Sequence, residues 1–231
     1  MQYPHKHPDF LRVLTLRTIG NFLILFSLFT MIKTFYEPVR GEIVYFIDKL
    51  SGKQYLLSDS PEARDLSAKG KLADLVRNNK VQLIQPKDPN FSIVIPAIAA
   101  NAKILPNVNA ADEEEYLEAL KKGVAHAANT SFPGENGHVF LFAHSTDYFW
   151  NVSQYNAVFY LLYKLKNDDE VNVFYNGKRF TYRVIGQQIV DPSQVEFLTR
   201  KTDGEFLTLQ TCWPPGTTLQ RLLVFAKREV E

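Results

Sequence analysis

Residues 171–185 read VNVFYNGKRFTYRVI, two runs rich in Val, Phe, Tyr and Ile on either side of Asn176-Gly177. Asn-Gly is the composition of a type I′ turn, whose positive φ angles match the right-handed twist of paired strands, so this stretch is a β-hairpin. The same β-signal continues downstream in 205–212 and 221–227. Upstream, 138–144 (HVFLFAH) is apolar enough for a strand buried on both faces, 91–95 (FSIVI) is another, and 102–105 (AKIL) a third. Helical segments interrupt them. Asp112 is an N-cap for Glu113, Glu114 and Glu115, which the helix dipole favours, followed by Tyr116, Leu117 and Leu120. Residues 155–166 (YNAVFYLLYKLK) read as a helix stopped by Asn167-Asp168-Asp169. Short strands outnumber helices and turn signals recur at barrel-like spacing, so the fold class is mostly β, a barrel or sandwich with two or three inserted helices.

Gln85-Pro86-Lys87-Asp88-Pro89-Asn90 reads as a linker, and the main domain begins near Phe91. Before it, Pro61 opens one amphipathic helix running through Leu66, Leu72, Leu75 and Val76 to Asn78-Asn79. Residues 42–48 (EIVYFID) fit a strand or a helix start equally well, and Glu37-Pro38 with Arg40-Gly41 should break the first helix. That first helix is membrane-grade. Residues 18–32 carry no charge and are dominated by Phe22, Leu23, Ile24, Leu25, Phe26, Leu28 and Phe29. A span of about 20 residues is completed if Val13, Leu14 and Leu16 extend it while Arg17 and Lys33 snorkel. No small-x-small cleavage site succeeds it, which favours an uncleaved anchor over a signal peptide, a surface-lying helix or a core helix. Lys6, Arg12 and Arg17 precede the span, so the positive-inside rule puts the amino terminus in the cytoplasm and the body outside. The expected division is a cytoplasmic tail 1–12, a transmembrane anchor 13–36, an extracytoplasmic appendage 37–90 and the main β-domain 91–231.

With 45% hydrophobic and 22% charged residues the 231-residue chain is globular in composition, and its formal net charge of +1 without a basic run excludes a nucleic-acid partner. Residues 1–35 hold +3 of that charge, which leaves the outer part near neutral. Cys212 is the only cysteine, so neither a disulfide framework nor a thiolate-rich metal site is available. His5 and His7 have an HxH spacing without further ligands, and Asp112 to Glu115 read as a solvated helix start, not a calcium loop. No metal or cofactor is expected. A lone thiol on the oxidising side of a membrane calls for a chemical role.

His144 and Cys212 each end an apolar strand and Arg221 begins the next, and strand ends are where a barrel exposes polar side chains. An imidazole beside a thiol favours the thiolate and can return a proton to a leaving amine. A guanidinium can donate to a developing oxyanion while keeping its charge. The set suits acyl transfer, although a lone Cys in an apolar strand is by default a buried small hydrophobe. His126 follows a helix end, where capping is its first reading and substrate contact its second.

These residues resemble the sortases, membrane-anchored cysteine transpeptidases of bacterial cell envelopes. Thr208-Leu209-Gln210-Thr211-Cys212 is similar to their TLxTC motif, and Thr211-Cys212-Trp213-Pro214-Pro215-Gly216 with Arg221-Leu222-Leu223-Val224 to the TCxPxG…RLLV pattern of subclasses with a short Cys-to-Arg loop. Pro133-Gly134-Glu135-Asn136-Gly137-His138, ending in Phe142-Ala143-His144-Ser145, resembles the PGExGN…xGHS segment; Ile93-Val94-Ile95-Pro96 and Lys122-Gly123-Val124-Ala125-His126 are further landmarks. The match covers residues 91–228 in order, with two departures: His138 where Asn is usual and Ala143 where Gly is usual. The resemblance implies an eight-stranded β-barrel with His144, Cys212 and Arg221 as the catalytic set and Thr211 helping to hold the oxyanion. It also implies protein substrates with a C-terminal LPxTG-like sorting signal, a thioester on Cys212, and an amine acceptor on a wall precursor or another protein. Asp88-Pro89 is similar to the lid motif of pilus-polymerising sortases, though such a dipeptide before a strand reads first as a turn. An L,D-transpeptidase would show a Ser-x-Gly-Cys-x-Arg signature that TLQTCWPPG lacks. A non-catalytic, membrane-tethered peptide-binding barrel is the alternative reading.

Overall fold

A 44-residue helix, α1 (Pro8–Ser51), opens the computed structural model of the chain, which describes residues 8–145 and 158–229. Its Asp9–Lys33 part, 25 residues, is long and apolar enough to cross a membrane by length and composition. At 1.5 Å per residue it extends about 38 Å, against a hydrocarbon core of about 30 Å. Phe22, Leu25, Phe26 and Phe29 are exposed on it, an arrangement that water disfavours and lipid accepts. The breaks expected at Glu37-Pro38 and Arg40-Gly41 do not occur. A proline forfeits one i→i−4 hydrogen bond, but the ladder resumes beyond it, and 42–48 is helical. Backbone packing divides the chain into two units, residues 1–43 and 44–231, so the last two turns of α1 belong to the second unit. The amino-terminal residues that include His5 and His7 lie outside the described part.

Between α1 and the linker lie β1 (Gln54–Leu57), α2 (Pro61–Ala68), α3 (Leu72–Arg77) and β2 (Val81–Ile84), with β1 and β2 paired in parallel. The single helix expected over 61–79 is two. Ser60 caps the first by accepting from Ala63 N, and Gly70 ends it with φ of 68°, a left-handed conformation that glycine adopts without a steric penalty. Leu57 and Ile84 pack against Val94 and Phe174 in a small core of their own.

The remaining elements are β3 (Phe91–Ile95), β4 (Ala100–Val108), α4 (Glu113–Lys122), β5 (Val124–Ala127), β6 (His138–Phe142), β7 (Glu170–Tyr175), β8 (Lys178–Val190), β9 (Phe206–Trp213) and β10 (Gln220–Arg228). Eight strands close a barrel in the order β10-β8-β7-β3-β4-β5-β6-β9. The β4–β5 and β6–β9 pairs are parallel and the others antiparallel. The apolar runs FSIVI and HVFLF are buried along their whole length, as their patterns require. Asn176 and Gly177 have φ of 49° and 73°, the type I′ signature. Asp112 accepts from Glu115 N at 3.1 Å and starts α4 as expected. The AKIL strand is the middle of the longer β4, and the hairpin's second strand runs on to Val190.

The helix expected over 155–166 is not found in its described part, where residues 158–161 turn and Leu162–Lys164 form one 3₁₀ turn. Phe159, Leu162 and Leu165 are all buried. Their spacing of three suits the three-residue 3₁₀ repeat better than the 3.6 of an α-helix.

Register assigns each turn to a rim. The C-terminal ends of β6 and β9 and the start of β10 lie at one rim. The β7–β8 turn, the start of β3 and the 131–137 loop lie at the other.

Candidate active site

Two pairings bring the three candidate residues to one level. In the antiparallel β9–β10 pair Cys212 faces Arg221 directly. In the parallel β6–β9 pair each residue from His138↔Phe206 to Phe142↔Gln210 faces a partner 68 positions later. Two more steps of that register, past its last observed pair, would bring His144 to the level of Cys212. The strand assignment stops at Phe142, but two hydrogen bonds keep the chains together past it. Ala143 N donates to Gln210 O at 3.1 Å, and Thr211 Oγ1 donates to Ala143 O at 2.9 Å in a buried position. The residues immediately before His144 and before Cys212 are thereby tied to each other.

Cys212 is a free, half-buried thiol. Burial pushes its pKa up, and the Arg221 guanidinium pulls it back down. Arg221 is itself held by its own loop, Nη1 donating to Thr218 O and Gln220 O at 3.1 Å each. The half-buried His144 accepts at its carbonyl from Phe159 N at 3.4 Å, a long bond. The Thr211 hydroxyl donates to Ala143 O, so in this structure the side chain ties the ends of the two strands together.

The other histidines stand apart from this rung. His126 does not cap a helix. α4 ends at Lys122, and His126 lies fully buried in β5, with Nδ1 accepting from Asn107 N at 3.3 Å and Nε2 facing Ser131 O at 3.0 Å. Its ring stacks on Phe132 with centroids 4.4 Å apart. Burial holds its pKa below the ordinary imidazole value, which favours the uncharged ring. The helix-end reading failed because Gly123 stops α4 and its φ of 166° is already extended backbone. His138 begins β6, six residues and about 20 Å of strand from His144. It meets Thr208 Oγ1 at 2.8 Å while its buried Nδ1 has no partner among the described residues.

Asp88-Pro89 is at the far rim. Asp88 accepts from Asn90 N at 2.8 Å and pairs with Lys103 at 3.0 Å, and Pro89 O accepts from Gly177 N at 3.0 Å. The dipeptide is a turn pinned to the β7–β8 hairpin. The PGENG segment is also remote, clasped by Glu205, whose Oε2 accepts from Gly134 N at 3.1 Å. Among the described residues no cluster of three His, Cys, Asp or Glu side chains could hold a metal ion. The Ala143 tie was invisible in the sequence. Thr211 stood out there, but its partner lies 68 residues away.

Comparisons with known proteins place this geometry. The sortase-domain family model matches residues 93–229. Sortase D of Bacillus subtilis (strain 168) is 28% identical over 137 residues, which are 58% of this chain and 61% of that protein. The chain thus spans less than two thirds of that relative's length. Among solved structures, sortase C-1 from Actinomyces oris superposes with a TM-score of 0.51 at 30% identity, covering 63% of this chain and 76% of the other. Sortase C1 of GBS Pilus Island 1 gives 0.52 at 29% identity, covering 61% and 64%.

The buried His138 generates a pH prediction. Burial, with the Arg200 charge adding to it, lowers its pKa from 6.5 to about 4. The unfolded chain therefore takes up this proton first as pH falls, and stability present above pH 6.5 is lost progressively down to about pH 4. Between pH 7 and pH 5 the loss attributable to His138 is about 2 kcal/mol. Urea unfolding at both pH values should show that difference between the wild type and His138→Asn. Equal pH dependence in the two proteins would refute it.

Proposed function

The chain belongs to the sortase family, and we propose that it is a cysteine transpeptidase that cleaves an LPxTG-like sorting signal and passes the acyl group to an amine. The observation that carries the reading is the Cys212↔Arg221 pair, with the Thr211–Ala143 bond tying the residue before Cys212 to the residue before His144. Cys212 Sγ, as thiolate, attacks the carbonyl carbon of the signal's Thr-Gly bond. The protonated His144 imidazole gives its proton to the leaving glycine nitrogen as the C–N bond breaks, and a thioester remains. An incoming amine attacks that thioester, its proton returns to His144, and the thiolate is expelled. Arg221 Nη1 is spent on the loop carbonyls, so its Nε and Nη2 hydrogens are those that meet the oxyanion. Residues 13–36 anchor the enzyme in the cell membrane with the barrel outside. The substrates are then surface proteins and the acceptor is a wall precursor or another protein.

The electrostatics set the pH profile. Activity needs a deprotonated thiol and a protonated imidazole, which gives a bell. Because burial raises the thiol, the limb set by its ionisation should lie above that of an ordinary cysteine. Arg221→Lys keeps the charge and loses the planar fork, so kcat/KM should fall about 100-fold with that limb in place. Arg221→Gln should move the limb further up as well, because the charge that lowers the thiol is gone. Peptide-cleavage kinetics across pH test this. Wild-type turnover in Arg221→Lys would sink the proposed role of Arg221, and retained turnover in Cys212→Ala would sink the mechanism.

Thr211→Val removes the hydroxyl at nearly constant volume and frees the Ala143 carbonyl. It should lower kcat about tenfold or more, as misplacing a catalytic group does, and Thr211→Ser should restore most of it. A Val variant with wild-type kcat would show that the tie is dispensable.

A further inference from the structure

We infer that the last turns of α1 are a working part of the site, with Tyr45 and Lys164 as positioning residues that brace the strand ends carrying His144 and Cys212. The link to catalysis rests on the function proposed above; the brace itself rests on contacts.

The segment 158–165 touches both strand ends. Phe159 N donates to His144 O at 3.4 Å, and the Tyr163 ring tilts against Trp213, the residue after Cys212, with centroids 5.4 Å apart. Phe159, Leu162 and Leu165 root the segment in the main core. Successive side chains of a strand point to opposite faces, so Trp213 and Cys212 belong to opposite faces of β9.

The segment is braced in turn from α1. The Lys164 ammonium lies over the Tyr163 ring at 4.6 Å and over the Tyr45 ring at 5.6 Å. A cation over two aromatic faces is a directional contact that fixes spacings, unlike a plain apolar plug. Tyr45 packs against the main core. The helix end that carries Tyr45 is fastened too. Asp48 accepts from Tyr55 OH at 2.5 Å, and Lys80 Nζ donates to Ser51 O at 2.7 Å. A path of contacts therefore runs from Tyr45 through Lys164 and Tyr163 to Trp213, and through Phe159 to His144. Tyr45, on the helix that continues out of the membrane-grade stretch, is thereby joined through Lys164 to the strand ends of the site.

The test uses the full chain in detergent micelles. Cys212 is the only cysteine, so the rate of alkylation by iodoacetamide against pH reports this thiol alone, and cleavage of a sorting-signal peptide is followed alongside. Loosening the brace lets water reach the thiol, whose burial is what raises its pKa, while Arg221 stays in place. In Tyr45→Ala and in Lys164→Met the alkylation midpoint should therefore move down toward that of an ordinary cysteine. Their kcat should fall about tenfold with KM changed less than about twofold. Tyr45→Phe keeps the ring and Lys164→Arg the cation, and both should restore the wild-type midpoint and kcat. Should Tyr45→Ala fail to fold, Lys164→Met decides alone. Wild-type midpoints in the Ala and Met variants would overturn the brace, as would Phe and Arg variants that fail equally. If the wild type cleaves no sorting-signal peptide, the functional reading falls, and the alkylation midpoints still decide whether the brace exists.

Discussion

The parallel pairing of β6 with β9 sets the geometry of the rim that carries the candidate site. Residues 138–142 and 206–210 are far apart in the chain, and their pairing places the strands that precede His144 and Cys212 side by side. A parallel register slipped by one residue would turn every side chain of β6 to the other face. Two features oppose such a slip. Val139, Phe140, Leu141, Leu207 and Leu209 are buried and fix the phase by packing, and the buried Thr211–Ala143 bond fixes it at the open end. Arg221 is then placed opposite Cys212 by the antiparallel β9–β10 pair.

The barrel separates tasks between its rims. One rim carries the candidate chemistry. The other carries the motifs that hold the fold together: the PGENG loop with its Glu205 clasp, the Asp88-Pro89 turn on the β7–β8 hairpin, and the His138–Thr208 contact. A family signature therefore mixes residues of both kinds. His138 and His144 are six positions apart, yet one is a neutral buried group and the other a half-buried residue at the opposite rim, which carries the candidate site.

Much of this was legible in the sequence, and the failures have physical causes. The hairpin, the two wholly buried strands and the start of α4 came from turn chemistry, apolar runs and capping, all of which act over a few residues. Three local errors came from breakers and periodicity. Gly70 splits 61–79, Pro38 does not stop α1, and the buried residues of 159–165 repeat every three positions. His126 was misplaced because a strand of four residues after a helix gives too little pattern to read. The candidate triad was legible through motif spacing. The contacts that seat it were not: Thr211 with Ala143, and Lys164 between Tyr163 and Tyr45, join residues distant in the chain or in different elements.

If the rung of His144, Cys212 and Arg221 performs acyl transfer through Cys212, the thioester should be visible by intact-mass spectrometry of the purified chain mixed with a sorting-signal peptide. The wild-type protein should gain an acyl adduct that localises to Cys212 after digestion and disappears, with an exchanged peptide product, when an amine is added. An adduct that forms equally on Cys212→Ala, or its absence from the wild type with a panel of LPxTG-like peptides, would contradict this mechanism.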